Sequence, residues 1–359
     1  MRSVVFRLHA MLALCIGLAG CAHPLMGQAR STSYAIQADY VVMASSDDED
    51  GTWNLQRIGV SPQPAPAMPG ANLVVAAVVD TGVDPQHPVL KSRLLPLLDL
   101  VGSDTYQRAG QSVDFKGRDG NGHGTHVSGI VRSVVGPNNP IDILPVKAIG
   151  NTGVGDDGTI ADGIHKAVDW RDPANPQRRV RVINLSVGGK TSSRVLEDAL
   201  AYAVSHDVLM VVAAGNRERD VDYPAALPTA LAVSATTKQD GLASYSNRGD
   251  AVGISAPGGD SDGAILSTWP TYLTASDLKK GVTLPHADGT MVGTSMAAPH
   301  ITGAAALLFA QDPSLTAAQV RARLQTWTAD LGPVGPDGYF GVGRLMVQAM
   351  LAKGAHDAR

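Results

Sequence analysis

Three short segments carry residues whose types and order are able to do chemistry. Asp80 ends the apolar run Ala76-Ala77-Val78-Val79. His123 stands in the glycine-rich stretch Asp119-Gly120-Asn121-Gly122-His123-Gly124-Thr125-His126. Ser295 lies in Gly293-Thr294-Ser295-Met296-Ala297-Ala298-Pro299, at the start of a long apolar stretch. A serine hydroxyl is a weak nucleophile until a base within hydrogen-bond reach takes its proton. A histidine titrating near neutrality can be that base. A carboxylate behind it fixes its tautomer and stabilises the imidazolium. Taken singly, each segment has a plainer reading. A strand-end aspartate often forms a turn, and Gly-Thr-Ser before a helix is often only a cap. His123 and His126 could be packed side chains, or two metal ligands three residues apart with no third ligand nearby. All three together, in the order Asp, His, Ser, are far more specific.

Such residues must be held by a scaffold. Apolar β-type runs fall at 73–79, 141–149, 180–187, 208–214 and 231–236. Helical patterns fall between and after them, at 124–135, 157–171, 192–207, 294–311, 317–327 and 343–352. Strands apolar throughout, alternating with helices, indicate a mostly parallel sheet covered on both faces. Sites in such α/β folds sit at the carboxyl ends of strands and the amino ends of helices. The three segments fall at such places. No boundary interrupts residues 53–353, which read as one domain.

With these motifs, the chain resembles the subtilisin-like serine proteases, the subtilases. The Asp, His, Ser order is the one known for subtilisin. The likeness runs from Trp53-Asn54-Leu55-Gln56-Arg57-Ile58-Gly59 to Gly341-Val342-Gly343-Arg344. It implies a three-layer subtilisin-like α/β fold and a serine endopeptidase acting on polypeptides through an acyl-enzyme. It also implies Asp80 as triad acid, His123 as general base, Ser295 as nucleophile and His126 as a structural histidine. Asn216, in Ala213-Ala214-Gly215-Asn216, then corresponds to the asparagine that donates to the oxyanion, with the Ser295 N–H as second donor. Ser186-Val187-Gly188-Gly189 and Gly153-Val154-Gly155 correspond to the walls between which substrate adds as a strand. Ala214 and Gly215 line the same cleft. Asp222 falls near the floor of the P1 pocket, where a carboxylate favours Lys or Arg unless Arg217 and Arg219 neutralise it. Met296, next to the nucleophile, implies sensitivity to peroxide.

The competing readings are weaker. Gly153-Val154-Gly155-Asp156-Asp157-Gly158 is formally a dinucleotide-type G-x-G-x-x-G, but its two aspartates would repel a phosphate. No G-x-S-x-G surrounds Ser295, which argues against an esterase or lipase. The rival from another class is an inactive subtilase fold serving as a peptide-binding lipoprotein.

The chain also departs from the family. The stretch from His123 to Lys147 is short and lacks the loop that wraps a high-affinity calcium in those enzymes. No cofactor is therefore required on this reading, though weak calcium sites at Asp156-Asp157 and 260–262 stay open. Residues 268–289 are longer than the usual connection and are expected to form a surface hairpin. Secreted subtilases carry a much longer inhibitory propeptide than residues 22–52 provide. Either folding needs no such helper, or this segment acts as a stub, or a partner supplies the function.

Net charge is −4, from 29 basic and 33 acidic residues, so no basic field exists for nucleic acid. Hydrophobic residues make up 44%, enough for a sizeable core. The two cysteines, Cys15 and Cys21, both lie near the N-terminus. Residues 1–20 read as a secretory signal: Arg2 and Arg7, then an apolar run shorter than the roughly 20 residues that span a bilayer. The run ends in Leu18-Ala19-Gly20-Cys21, which resembles a bacterial lipobox. That resemblance implies an acylated Cys21, membrane lipid as a partner and, with Ala22 following, the outer membrane of a Gram-negative cell. Residues 21–52 then read as a polar linker with at most a short strand at 34–43, and residues 354–359 as a tail. No disulfide is available to the mature chain, and a monomer is expected.

Overall fold

The computed structural model describes residues 32–36, 40–41, 51–61, 67–68, 70–108, 110–261 and 263–354. The expected signal and Cys21 lie outside the described residues. The centre of the fold is a nine-stranded sheet. Its order is 328–329, 344–345, 252–257, 230–236, 209–213, 180–185, 74–80, 141–147 and 98–99. Every pairing in it is parallel except that between 328–329 and 344–345.

The strand Val74–Asp80 shows why the sheet lies in the middle. All seven of its residues are buried, on both faces. Side chains alternate across a strand. Ala76 and Val78 join one core with the helices His123–Val135 and Thr294–Gln311, whereas Val75, Ala77 and Val79 join the other with Asp157–Asp169 and Arg194–Ser205. The helix Thr294–Gln311 is buried along every residue up to Ala310, as expected of a helix that is apolar all round.

The structure adds elements that the apolar pattern hides. Val252–Pro257 is a central strand although Gly253, Ser255 and Pro257 interrupt its apolar run. Residues 268–289 are more than a surface hairpin. The strands Ile265–Thr268 and Asp288–Val292 pair antiparallel, and a helix, Ala275–Lys280, lies between them. Trp269 is buried there, stacked on His286 and donating its indole N–H to Asp277.

The segment expected to be a polar linker with at most one short strand at 34–43 contributes two strands. Ser33–Ala35 pairs antiparallel with Val154–Asp156, and Tyr40–Val41 pairs with Asp288–Val292. Among the described residues, no helix is long and apolar enough to cross a membrane.

Candidate active site

Parallel strands bring their carboxyl ends to one edge, and the site is assembled there. Asp80 is the last residue of its strand, and His123 is the first residue of its helix. Asp80 Oδ1 lies 2.7 Å from His123 Nδ1, with both side chains fully buried. A carboxylate oxygen only accepts, so Nδ1 carries the proton and Nε2 keeps its lone pair. The backbone N–H of Thr81 donates to the same Oδ1 at 2.7 Å.

Around this pair is a buried polar scaffold that the sequence did not single out. Asp119 accepts from the Thr81 and Thr125 hydroxyls and from the backbone N–H groups of Asn121, Gly122 and Thr125. It thereby shapes the turn that delivers His123. Lys147, fully buried, ion-pairs with Asp104 at 2.7 Å and donates to the Thr81 carbonyl at 2.9 Å. Both residues carry charge beside the motifs, and a charge inside a motif otherwise built of Gly, Thr and His was the available signal.

Ser295 is the second residue of its helix and is buried, and its hydroxyl donates to the Ser186 carbonyl at 3.4 Å. The Ser186 hydroxyl in turn reaches the Ser295 carbonyl at 3.2 Å, so the 186–189 segment is tied to the Ser295 peptide. Asn216 has its orientation set by Thr294. Both the backbone N–H and the hydroxyl of Thr294 donate to Asn216 Oδ1, at 2.9 and 2.7 Å. With its oxygen so occupied, the amide turns its NH₂ donor the other way. Ser186, Val187, Gly188, Gly215, Asn216 and Ser295 share the lining of one small groove.

Two further histidines are buried and held uncharged. Burial and the neighbouring His123 push His126 down to about 3, against hydrogen bonds to the carbonyls of Ile265 and Gly289. His126 thus pins the His123 helix to the 265–292 hairpin. Burial likewise lowers His300 to about 4. Its Nδ1 bonds to the Met296 carbonyl, and its Nε2 lies 2.8 Å from the Asn54 amide.

Asp222 lies beneath Gly215. A Cβ on Gly215, which has φ +111°, would sit 2.4 Å from Asp222 Oδ2, so only glycine fits above the carboxylate. The carboxylate is buried and ion-paired with Arg219, and Arg217 approaches to 3.9 Å. Asp156, a candidate calcium ligand, instead caps the helix Asp157–Asp169 by accepting from the Thr159 N–H and hydroxyl. Among the described residues, no group of three His, Cys, Asp or Glu is arranged to hold a metal ion.

The chain is similar to known proteins in sequence and in fold. The profile of the Subtilase family matches residues 70–343. The chain belongs to the subtilase family. It is 35% identical over 314 residues to a subtilisin of Bacillus pumilus, covering 81% of this chain and 97% of that protein. It is 32% identical over 339 residues to the minor extracellular protease Epr of Bacillus subtilis, covering 91% of this chain but only 46% of Epr. Among solved structures, a protease from Pseudoalteromonas arctica superposes with a TM-score of 0.67 at 27% identity, over 84% of this chain and 97% of its own. A lanthipeptide protease superposes with a TM-score of 0.63, also at 27% identity, over 78% and 87%. The subtilisin-like α/β fold expected from the sequence is therefore the fold of this subtilase.

The segments 153–155 and 186–189 carry a strand of this chain between them. Ala35 exchanges hydrogen bonds with Gly188, its N–H reaching the Gly188 carbonyl at 3.4 Å and its carbonyl accepting from the Gly188 N–H at 3.1 Å. On the other edge, the Ile36 N–H donates to the Gly153 carbonyl at 2.9 Å, and Tyr34 stands opposite Gly155.

Proposed function

We propose that this subtilase is a serine endopeptidase working through an Asp80–His123–Ser295 triad. The observation that supports the reading is the buried 2.7 Å contact between Asp80 and His123, at the carboxyl end of a strand whose parallel neighbour 180–185 leads into the groove of Ser186, Asn216 and Ser295. His123 Nε2 takes the Ser295 proton as Oγ attacks the scissile carbonyl. Asp80 holds the Nδ1–H and stabilises the imidazolium. The oxyanion is met by the Asn216 NH₂, aimed by Thr294, and by the Ser295 N–H at the positive end of its helix. The protonated His123 then hands its proton to the leaving amine, and water releases the acyl-enzyme by the reverse path.

Substrate enters as an extended polypeptide between 153–155 and 186–189, because both edges offer backbone donors and acceptors to an added strand. Asp222 at the P1 floor contributes no net attraction for a basic residue while Arg219 is paired with it. No cofactor takes part in these steps. The enzyme is exported and held at the outer membrane by an acyl chain on Cys21, a reading that rests on the lipobox resemblance.

The test is a fluorophosphonate probe on the full chain. Wild type labels at one site, and Ser295→Ala does not. A correctly folded wild type that stays unlabelled would overturn the triad. For the anchor, the wild-type chain is expected to take up a metabolic alkynyl fatty acid and Cys21→Ser is not, while globomycin accumulates the uncleaved precursor; a wild type that takes up no label refutes it.

A further inference from the structure

The stretch that joins the strands Ile265–Thr268 and Asp288–Val292 is laid over the turn that delivers His123. Asp119, Gly120 and Gly122 are each held by it from outside. The Tyr272 hydroxyl donates to the Asp119 carbonyl at 3.0 Å. The Ala275 N–H donates to the Gly120 carbonyl at 2.8 Å. The Trp269 ring covers Gly122, where a Cβ would come within 2.4 Å of it. Gly122 has φ +105° and caps the His123 helix with no side-chain hydrogen bond of its own. The residue just before His123 is therefore fixed by its neighbours. The Asp119 carboxylate grips the same turn from inside.

The outer grip is itself braced. Asp277 Oδ2 accepts from the Trp269 indole N–H at 3.1 Å, the Thr274 N–H at 2.9 Å and the Thr274 hydroxyl at 2.8 Å. The indole is thus held at one orientation. The Ala275 N–H is the first of its helix, one of the donors that find no partner within a helix, and Gly120 supplies that partner. The Arg118 guanidinium lies 4.7 Å from the centre of the Tyr272 ring and 5.2 Å from that of Phe115. Burial, with the nearby charges of Asp119 and Asp84, raises the Tyr272 phenol above its ordinary value, so its hydroxyl stays a donor. The grip continues past His123. The Thr271 N–H and hydroxyl donate to Asp84, whose own N–H donates to the Thr125 hydroxyl at 3.0 Å. The Thr268 hydroxyl donates to the Thr125 carbonyl at 2.8 Å.

We infer that residues 269–277 clamp the 119–122 turn, and that Trp269 and Tyr272 are positioning residues for His123. They act through the turn and not on the reacting atoms. The inference rests on the protease reading of the site and adds what holds its base in place. His123 must keep Nε2 within reach of Ser295 while Nδ1 stays on Asp80. A misplacement of about 1 Å, even from a substitution away from the chemistry, can cost about 10²-fold in rate. Removing the Trp269 ring opens a void directly against Gly122, into which the turn can relax.

The test counts competent sites and times them separately, on full chains that keep Ser295. A fluorophosphonate taken to completion gives the number of reactive sites per folded chain, with folding scored by circular dichroism. Its rate gives the reactivity of each site. Trp269→Ala is expected to label to the wild-type extent but about 10–100-fold more slowly. On an internally quenched peptide that wild type cleaves, its kcat is expected to fall by the same factor, with KM within about twofold. Trp269→Phe keeps a ring over Gly122 and is expected to recover most of the rate. Tyr272→Phe deletes one hydrogen bond and is expected to slow each site about fivefold. It carries the test if Trp269→Ala fails to fold.

A purely structural role predicts fewer labelled sites at an unchanged rate per site, and that result in the folded variants overturns the clamp. A loss confined to KM overturns it too. A wild type that stays unlabelled is a different outcome: it removes the triad, and the clamp with it.

Discussion

Lowering the pH from 7 to 4.5 should destabilise this protein through two histidines that the fold keeps neutral. His126 and His300 are fully buried and are lowered to about 3 and about 4. An unfolded histidine titrates near 6.5. The folded values lie below the unfolded one, so the stability these groups contribute is complete above pH 6.5 and is lost as pH falls toward the folded values. At pH 4.5 the unfolded chain holds both protons and the folded chain holds little of either. Integrating between pH 7 and 4.5 gives a loss of roughly 2–3 kcal/mol for each histidine, or about 5 kcal/mol together. That is a large part of the roughly 5–15 kcal/mol that holds a domain folded.

The geometry at His300 explains the cost. Its Nδ1 donates to the Met296 carbonyl, so its Nε2 must accept from the Asn54 amide, and a proton on Nε2 would face a donor. The assay is urea unfolding of the Ser295→Ala chain at pH 7 and at pH 4.5, followed by tryptophan fluorescence. His300→Gln keeps a hydrogen-bonding side chain and removes the titration. Its unfolding free energy is expected to fall by roughly 2–3 kcal/mol less than the parent's across the same interval. Equal losses in the two proteins would refute the reasoning, whatever their stabilities at pH 7.

On the proposed mechanism, Asn216→Leu removes an oxyanion donor. It is expected to lower kcat by about 10²–10³ with little change in KM, a size measured for the corresponding donor in subtilisin itself; an equal effect on KM would mean the amide serves binding instead. Arg219→Ala removes the nearer of the two arginines at Asp222, leaving Arg217 at 3.9 Å, so cleavage-site profiling on a peptide library is expected to show an increased preference for Lys and Arg at P1, abolished by adding Asp222→Gly. An unchanged profile would place Asp222 outside P1 recognition. Met296 is fully buried directly after Ser295. Its oxidation puts a polar sulfoxide into a packed site, so peroxide is expected to inactivate wild type and to spare Met296→Leu, as followed by intact mass and residual labelling. Loss of activity without oxidation of Met296 would point elsewhere.

Much of the scaffold was legible because its signals are local. A strand such as Val74–Asp80, buried on both faces, must be apolar throughout, and a helix start such as Gly293-Thr294-Ser295 is marked by small residues before an apolar run. Val252–Pro257 escaped because its Gly, Ser and Pro are tolerated by neighbours that only the assembled sheet supplies. The 268–289 segment was read as surface because nothing in its sequence says that Trp269 is covered.

The candidate catalytic residue types and their order were readable in the sequence alone, as was the lipobox-like signature ending in Cys21. Tertiary structure decided what those residues meet. Asp80 and His123, 43 residues apart, come within 2.7 Å only because a parallel sheet gathers its strand ends at one edge. Thr294 aims the Asn216 amide, and Arg219 rather than solvent faces Asp222, because chain crossings bring those side chains together. The fate of residues 32–36 was the least legible of all. A strand added to a cleft is held chiefly by backbone hydrogen bonds, which every residue but proline can make. Its sequence therefore carries no sign of the partner, and Thr32–Ile36 reads as linker until the Gly153 and Gly188 walls are seen on either side of it.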